Sequence, residues 1–279
     1  MAIKHLINCG CSFAHGYGGK PLNTDQYTAI KQQGLDKISN SRYVGEVGLP
    51  MKNGNGNWGG GYASPGYYIS QKFNLSYNDL ARNGNSNESI IRNLKDYLVD
   101  KPNKEEHIVL IGWTHAFRRE YITWNKERSK GEWVQYRETP NSGSRFFTSF
   151  LNRFTRGNVL GKTMVSFNER TNRPLSFEDH TEYRQYNIIL ETQRLLELWK
   201  VPYVMYNGCG AEHLSTFPSV VNTKKQINKG NFYEFENSVD LVLKDHPGWK
   251  FKDGHPNDKA HKRMSENLFP MFQKLLTNK

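Results

Sequence analysis

Three short apolar runs punctuate the chain, and each ends in small or polar residues. Residues 3–9 (Ile-Lys-His-Leu-Ile-Asn-Cys) stop at Gly10, residues 107–113 (His-Ile-Val-Leu-Ile-Gly-Trp) at Thr114, and residues 201–206 (Val-Pro-Tyr-Val-Met-Tyr) at Asn207-Gly208. The continuous run at 107–113 is of the kind found in a buried strand of a parallel sheet covered on both faces. A weaker strand is predicted over 75–81, Leu-Ser-Tyr-Asn-Asp-Leu-Ala. Helical spacing fills the intervals. From Ser86 to Leu98, Ile90, Ile91, Leu94, Tyr97 and Leu98 share one face, with Ser86 or Asn87 placed to cap the helix. The spacing repeats over 183–199 through Ile188, Ile189, Leu195, Leu196, Leu198 and Trp199. It returns over 259–276 with Met264, Leu268, Met271, Phe272 and Leu275. Strands alternating with helices predict an α/β fold: a three-layer α/β/α sandwich around a central parallel sheet.

Two stretches break the rhythm. Residues 14–61 are rich in Gly and Asn and read as a long loop. Residues 114–180 carry Trp124, Trp133, Tyr136, Phe146, Phe147, Phe150 and Phe154 among cationic residues, without a long periodic run. A structureless insertion of that size is unusual, so a cap or binding subdomain is expected there, within a single domain spanning 1–279. Its aromatics would mostly form its own core, although Trp and Tyr faces also stack on sugars and bases.

Charge adds a partner class without specifying it. Lys and Arg total 38 against 27 Asp and Glu, for a net charge of +11, which favours polyanions. No block of five or six cations and no nucleic-acid motif accompanies it, so nucleic acid is a partner that no motif supports. Three cysteines, Cys9, Cys11 and Cys209, cannot all pair with one another and lack zinc spacing, which reads as free thiols in a reducing compartment. The opening residues hold too short an apolar stretch for a signal peptide, and no run approaches a membrane span. A cytoplasmic location and no membrane partner are the corresponding expectations. The sequence carries no signal of oligomeric state.

Ligands of parallel α/β sheets bind beyond the carboxyl ends of the strands. The segments there are Gly10-Cys11-Ser12, Asn83-Gly84-Asn85, Gly112-Trp113-Thr114 and Asn207-Gly208-Cys209. A serine nucleophile requires a base, an acid to orient that base, and donors for the oxyanion. Just before the last helix stands Asp253-Gly254-His255-Pro256, in which a carboxylate beside an imidazole can fix its tautomer.

Taken in order, these segments resemble the SGNH/GDSL hydrolase family. Gly10-Cys11-Ser12-Phe13 is similar to its Gly-Asp-Ser block, with Cys11 at the Asp position. Asp79-Leu-Ala-Arg-Asn-Gly84 is similar to the second block, Gly112-Trp113-Thr114 falls where Gly-x-Asn is expected, and Asp253-Gly-His255-Pro is similar to the last. The variant form looks like members from phages and marine bacteria, which would make the chain virus-encoded. The resemblance implies a flavodoxin-like sandwich and a serine esterase without metal or cofactor. Ser12 would be the nucleophile, His255 the base and Asp253 its orienting acid. The N–H groups of Ser12 and Gly84, with the Thr114 hydroxyl, would bind the oxyanion. Asn85, His115 and Arg118 would contact substrate, a small-molecule or glycan ester such as an O-acetyl sugar. Two departures stand out: Thr114 replaces an Asn, and one residue rather than two separates Asp253 from His255.

Plainer uses exist for the same residues. Ser12 also suits a helix cap, Gly84 a tight turn, Asn85 and Asn87 caps, and His255 and His115 surface loops. Arg118-Arg119-Glu120 suits a charged turn, and His246-Pro247 mimics His255-Pro256. The rival function is a non-catalytic SGNH scaffold that binds a polyanion or glycan.

Overall fold

The computed structural model describes residues 2–16, 63–82, 85–116, 118–125, 130–137, 177–209, 215–235, 238–250 and 255–277. Five parallel strands form the sheet: β1 (His5–Gly10), β2 (Ser76–Asp79), β3 (His107–Trp113), β6 (Tyr203–Asn207) and β7 (Phe232–Tyr233), in spatial order β2-β1-β3-β6-β7. A separate antiparallel hairpin, β4 (Arg118–Asn125) with β5 (Lys130–Arg137), pairs Arg118 with Arg137 and Asn125 with Lys130. The helices are α1 (Ser12–His15), α2 (Pro65–Phe73), α3 (Asn87–Val99), α4 (Phe177–Leu198), α5 (Pro218–Gln226), α6 (Ser238–Asp245) and α7 (Asp258–Thr277).

Strand alternation divides the apolar side chains into two cores. Ile7 and Cys9 of β1, Val109, Ile111 and Trp113 of β3, and Tyr203 and Met205 of β6 meet Ile90, Leu94 and Leu98 of α3 and Tyr186, Ile189 and Leu196 of α4. On the other face, Leu6, Ile108, Leu110, Val204 and Tyr206 meet Ile69 of α2, Val239 and Val242 of α6, and Met264, Leu268 and Phe272 of α7. Every residue of β3 and β6 is buried, which is why both read as continuous apolar runs in the sequence. The expected three-layer α/β/α sandwich with a central parallel sheet is therefore present.

Several boundaries and elements differ from expectation. Helix α4 begins at Phe177 rather than at 183. Helix α2 was not anticipated, although it carries ordinary end signals: Ser64 accepts the Tyr67 N–H, Pro65 opens the helix, and Asn74 closes it in the left-handed conformation. The hairpin occupies part of the expected cap region, and β7 is too short to show a pattern. Most of 14–61 and of 138–176 lies outside the described residues.

Register then sets the site. Gly10 lies beside Gly112, and Trp113 beside Asn207, so β1, β3 and β6 release their chains at one level. The strand order reverses between β1 and β3, the place where such sheets open a crevice. Close approach is permitted by two glycines. Gly10 has φ +155°, and a Cβ there would lie 2.3 Å from Ala14 Cβ and 2.7 Å from the Gly112 carbonyl oxygen. At Gly112 a Cβ would meet the Tyr206 hydroxyl at 2.6 Å and Ala14 Cβ at 3.0 Å. Gly112→Ala is accordingly expected to destabilise the fold by about 1–3 kcal/mol, read as a lower urea midpoint at unchanged slope.

Candidate active site

Ser12 is the first residue of α1, directly beyond β1. Cys11 occupies the cap position in an extended conformation, and Gly16 ends the helix with φ 82°. The short helix is held from below by a buried polar network. Asn8 Nδ2 donates to the Ala14 carbonyl (2.8 Å), to Asp79 Oδ1 (2.9 Å) and to the Tyr77 hydroxyl (3.0 Å). Asp79 Oδ1 also accepts the Ala81 N–H at 3.0 Å, and its Oδ2 lies 3.1 Å from His15 Nδ1. One carboxylate at the end of β2 thus ties β1, α1 and the β2–α3 connection together.

The opposite end of the chain supplies the imidazole. His255 Nε2 lies 3.0 Å from Ser12 Oγ, across 243 positions of sequence. The loop bearing His255 is closed at its base by pairing of Lys250 with Pro256 and by the Asn257 N–H donating to the Trp249 carbonyl at 2.8 Å. Asn257 then starts α7, its side chain accepting the Ala260 N–H at 3.3 Å. Phe13 packs on the imidazole with ring centroids 5.2 Å apart. In the tautomer that carries its proton on Nδ1, the ring presents an Nε2 lone pair at hydrogen-bond distance from the Ser12 hydroxyl. Asp253 and Gly84 lie outside the described residues. His246, the other His-Pro pair, stacks on Trp249 at 3.7 Å instead.

Beyond β3, Thr114 is buried and held by its backbone. Asn87 Oδ1 accepts the Thr114 N–H at 2.9 Å, and Asn87 Nδ2 donates to the Thr114 carbonyl at 3.2 Å. The amide of Thr114 is therefore spent, and its hydroxyl is the donor left for a ligand. That hydroxyl now points to Cys209 Sγ at 3.9 Å. The sequence offers Asn87 as a helix cap. The cap is Ser86, which accepts the Ser89 N–H at 3.2 Å, and Asn87 is a clamp on the third strand end.

Asn85 is reassigned by its surroundings. It is 1 % exposed, its Nδ2 donates to the Gly10 carbonyl at 2.9 Å, and its Oδ1 accepts the Ser89 hydroxyl at 3.1 Å. A carboxamide so engaged fixes the β1–α1 turn to α3 instead of facing a substrate. His115 and Arg118 form a turn, the Arg118 N–H donating to the His115 carbonyl at 3.1 Å. Arg184 braces that turn from α4, donating to the Ala116 carbonyl at 2.7 Å and pairing with Glu88 at 3.3 Å. Arg118 Nη1 is buried with no hydrogen-bond partner among the described residues, and the Arg118 charge helps lower the Cys11 thiol. A cationic donor whose charge reaches Cys11 and Cys209 suits an anionic or strongly polarised ligand atom.

Among the described residues no cluster of His, Cys, Asp and Glu suits a metal ion, and no helix is long and apolar enough to cross a membrane. No family model and no curated protein matches the chain. Among solved structures it is similar to TesA, at 12% identity and TM-score 0.43 over 98% of this chain and 99% of that one. It is also similar to a candidate GDSL-like lipase from Parabacteroides merdae, at 12% identity and TM-score 0.39 over 99% of this chain and 98% of that one.

Proposed function

We propose that the chain is a metal-free serine hydrolase of the SGNH type that cleaves an acyl ester. The contact of Ser12 Oγ with His255 Nε2 at 3.0 Å carries this reading, because two residues 243 positions apart meet at the strand ends in the geometry of nucleophile and base. Ser12 attacks the ester carbonyl as His255 takes its proton. The imidazolium then protonates the leaving alkoxide, and water repeats the sequence on the acyl-enzyme. Asp253, two positions before His255 in the chain, is the orienting acid of this proposal.

The oxyanion would be held by the Thr114 hydroxyl, with backbone N–H groups of Ser12 and Gly84. Arg118, whose Nη1 has no hydrogen-bond partner among the described residues, suits the charge that develops there. Polar strand-end groups and a cationic neighbour favour short acyl groups on polar alcohols, such as the O-acetyl groups of a glycan. Asn85 has no substrate role in this proposal.

A fluorophosphonate probe tests the reading. Covalent labelling should map to the peptide carrying Ser12, and absence of labelling would overturn the hydrolase and leave the binding-scaffold alternative. Thr114→Val removes the hydroxyl while keeping the shape and the Asn87 clamp. It should lower kcat on p-nitrophenyl acetate about 10²-fold with little change in KM, the signature of a donor used in the transition state.

A further inference from the structure

The cysteines divide into two kinds. Cys9 points into the core between the sheet and α3, where a thiol behaves as a small apolar group, and burial raises its pKa. Cys11 and Cys209, 198 positions apart, bring their sulfurs to 3.4 Å. Strand register produces this meeting: β1 and β6 flank β3, and both chains leave the sheet at the level where Gly10 faces Gly112 and Trp113 faces Asn207. Cys11 is fully buried and adjoins Ser12, whereas Cys209 is partly exposed.

The surroundings of the pair are polar. A hydrogen bond from Cys209 draws the Cys11 thiol down to about 5 against opposing burial, and the Arg118 charge, the Thr114 hydroxyl and the Phe13 N–H assist. Burial, followed by the Cys11 sulfur, pushes Cys209 up. A sulfur whose pKa is lowered thus lies 3.4 Å from one whose pKa is raised, an attacking sulfur beside a resolving one.

We propose that Cys11 and Cys209 form a reversible oxidation site, closed to a disulfide by hydrogen peroxide, that displaces the neighbouring Ser12. The displacement rests on the hydrolase reading above for its functional meaning, and the disulfide does not. The Cys11 thiolate attacks the terminal peroxide oxygen. The O–O bond breaks, hydroxide leaves and takes up a proton as water, and Cys11 becomes a sulfenic acid. The Cys209 sulfur, giving up its proton, then attacks the Cys11 sulfur; the S–O bond breaks, the S–S bond forms, and a second water departs. Two electrons pass from the sulfur pair to the peroxide.

Closure from 3.4 Å to a bond of about 2.05 Å requires the sulfurs to approach by about 1.3 Å. On the Cys209 side the preceding residue is tied down, the Gly208 N–H donating to the Trp113 carbonyl at 2.8 Å. On the Cys11 side the Gly10 carbonyl accepts from the Arg82 N–H and from Asn85, and the Cys11 carbonyl accepts the His15 N–H. Both ends are held, and the share of the movement taken by Cys11 passes to Ser12, its covalent neighbour. Misplacement of a reacting group by about 1 Å costs about 10²-fold in rate. Closure also takes the sulfur that accepts the Thr114 hydroxyl into a covalent bond.

The test uses the full chain, reduced, desalted and treated with hydrogen peroxide. Titratable thiols should fall from three to one, and the intact mass should drop by about 2 Da, the two thiol hydrogens. A proteolytic map should join the Cys11 and Cys209 peptides. Fluorophosphonate labelling of Ser12 should slow about 10²-fold, and dithiothreitol should restore both mass and labelling. In Cys209→Ser the mass loss should vanish and a dimedone-reactive sulfenic acid should persist on Cys11. Oxygen adducts without a link, a link through Cys9 or between two copies, or unchanged labelling of the linked species would each overturn the proposal. If the reduced chain never labels, the hydrolase reading falls, while the mass and thiol count still decide the disulfide.

Discussion

Ser12→Ala and His255→Ala should each lower kcat/KM on an acyl ester by about 10⁴–10⁶-fold, and the double variant should be no slower than the worse single one. The expectation follows from the 3.0 Å contact between Ser12 Oγ and His255 Nε2. A base without its nucleophile has no proton to take, and a hydroxyl without its base is a poor nucleophile at neutral pH. Residues acting as one unit therefore fail together. Two independent contributors would instead multiply their losses, and a double variant markedly slower than either single one would remove His255 from the role of base. Both side chains lie at loop or helix ends outside the apolar cores, so thermal unfolding should shift little in either variant. Steady-state kinetics with p-nitrophenyl acetate, alongside calorimetry, measures both quantities.

Asp79→Ala should instead act on stability, by about 3 kcal/mol or more, and on turnover as a consequence. Asp79 is the acceptor on which Asn8, Ala81 and His15 converge, at 2.9, 3.0 and 3.1 Å. Asn8 is fully buried and His15 nearly so, which means that deletion of the carboxylate removes a shared acceptor where water reaches poorly, although Asn8 keeps the Ala14 carbonyl and the Tyr77 hydroxyl. Each buried group left unsatisfied costs about 1–3 kcal/mol, and hydrogen bonds to a charged acceptor stand at the upper end. Asp79→Asn should recover part of this loss, since one carboxamide oxygen can still accept from Asn8 and Ala81 while its NH₂ opposes His15 only in one tautomer. Urea unfolding gives the stability change. Because His15 ends the helix that Ser12 begins, the same variant should also slow fluorophosphonate labelling.

The parts legible in the sequence are those where burial writes a pattern. β3 and β6 are covered on both faces, so their residues form near-continuous apolar runs, β1 carries a shorter one, and α3 and α7 carry one apolar stripe each. Ser12 and His255 could be paired because each sits next to such an element, one after β1 and one before α7. Other features had no comparable signature. β7 spans two residues, and the hairpin lies among aromatics that resemble a core in any arrangement. Asn87 at a helix start reads as a cap, since its clamp on Thr114 depends on where β3 ends in space. Asn85 gave no signal of its hydrogen bond to the Gly10 carbonyl for a related reason: strand pairing rather than sequence proximity brings that acceptor to it. Cys209 followed the third apolar run in plain view, but its meeting with Cys11 required the register of three strands.

The separation of 243 positions between Ser12 and His255 has a consequence during synthesis. β1, β2 and β3 can pair once the first 113 residues have left the ribosome, with Ser12 already at the end of β1. The imidazole arrives only when the segment leading into α7 has emerged and that helix has covered Leu6, Ile108 and Leu110. A nascent or prematurely terminated chain therefore holds Ser12 without its imidazole neighbour, and the hydrolase proposed above would gain its reactivity at the last docking event rather than strand by strand.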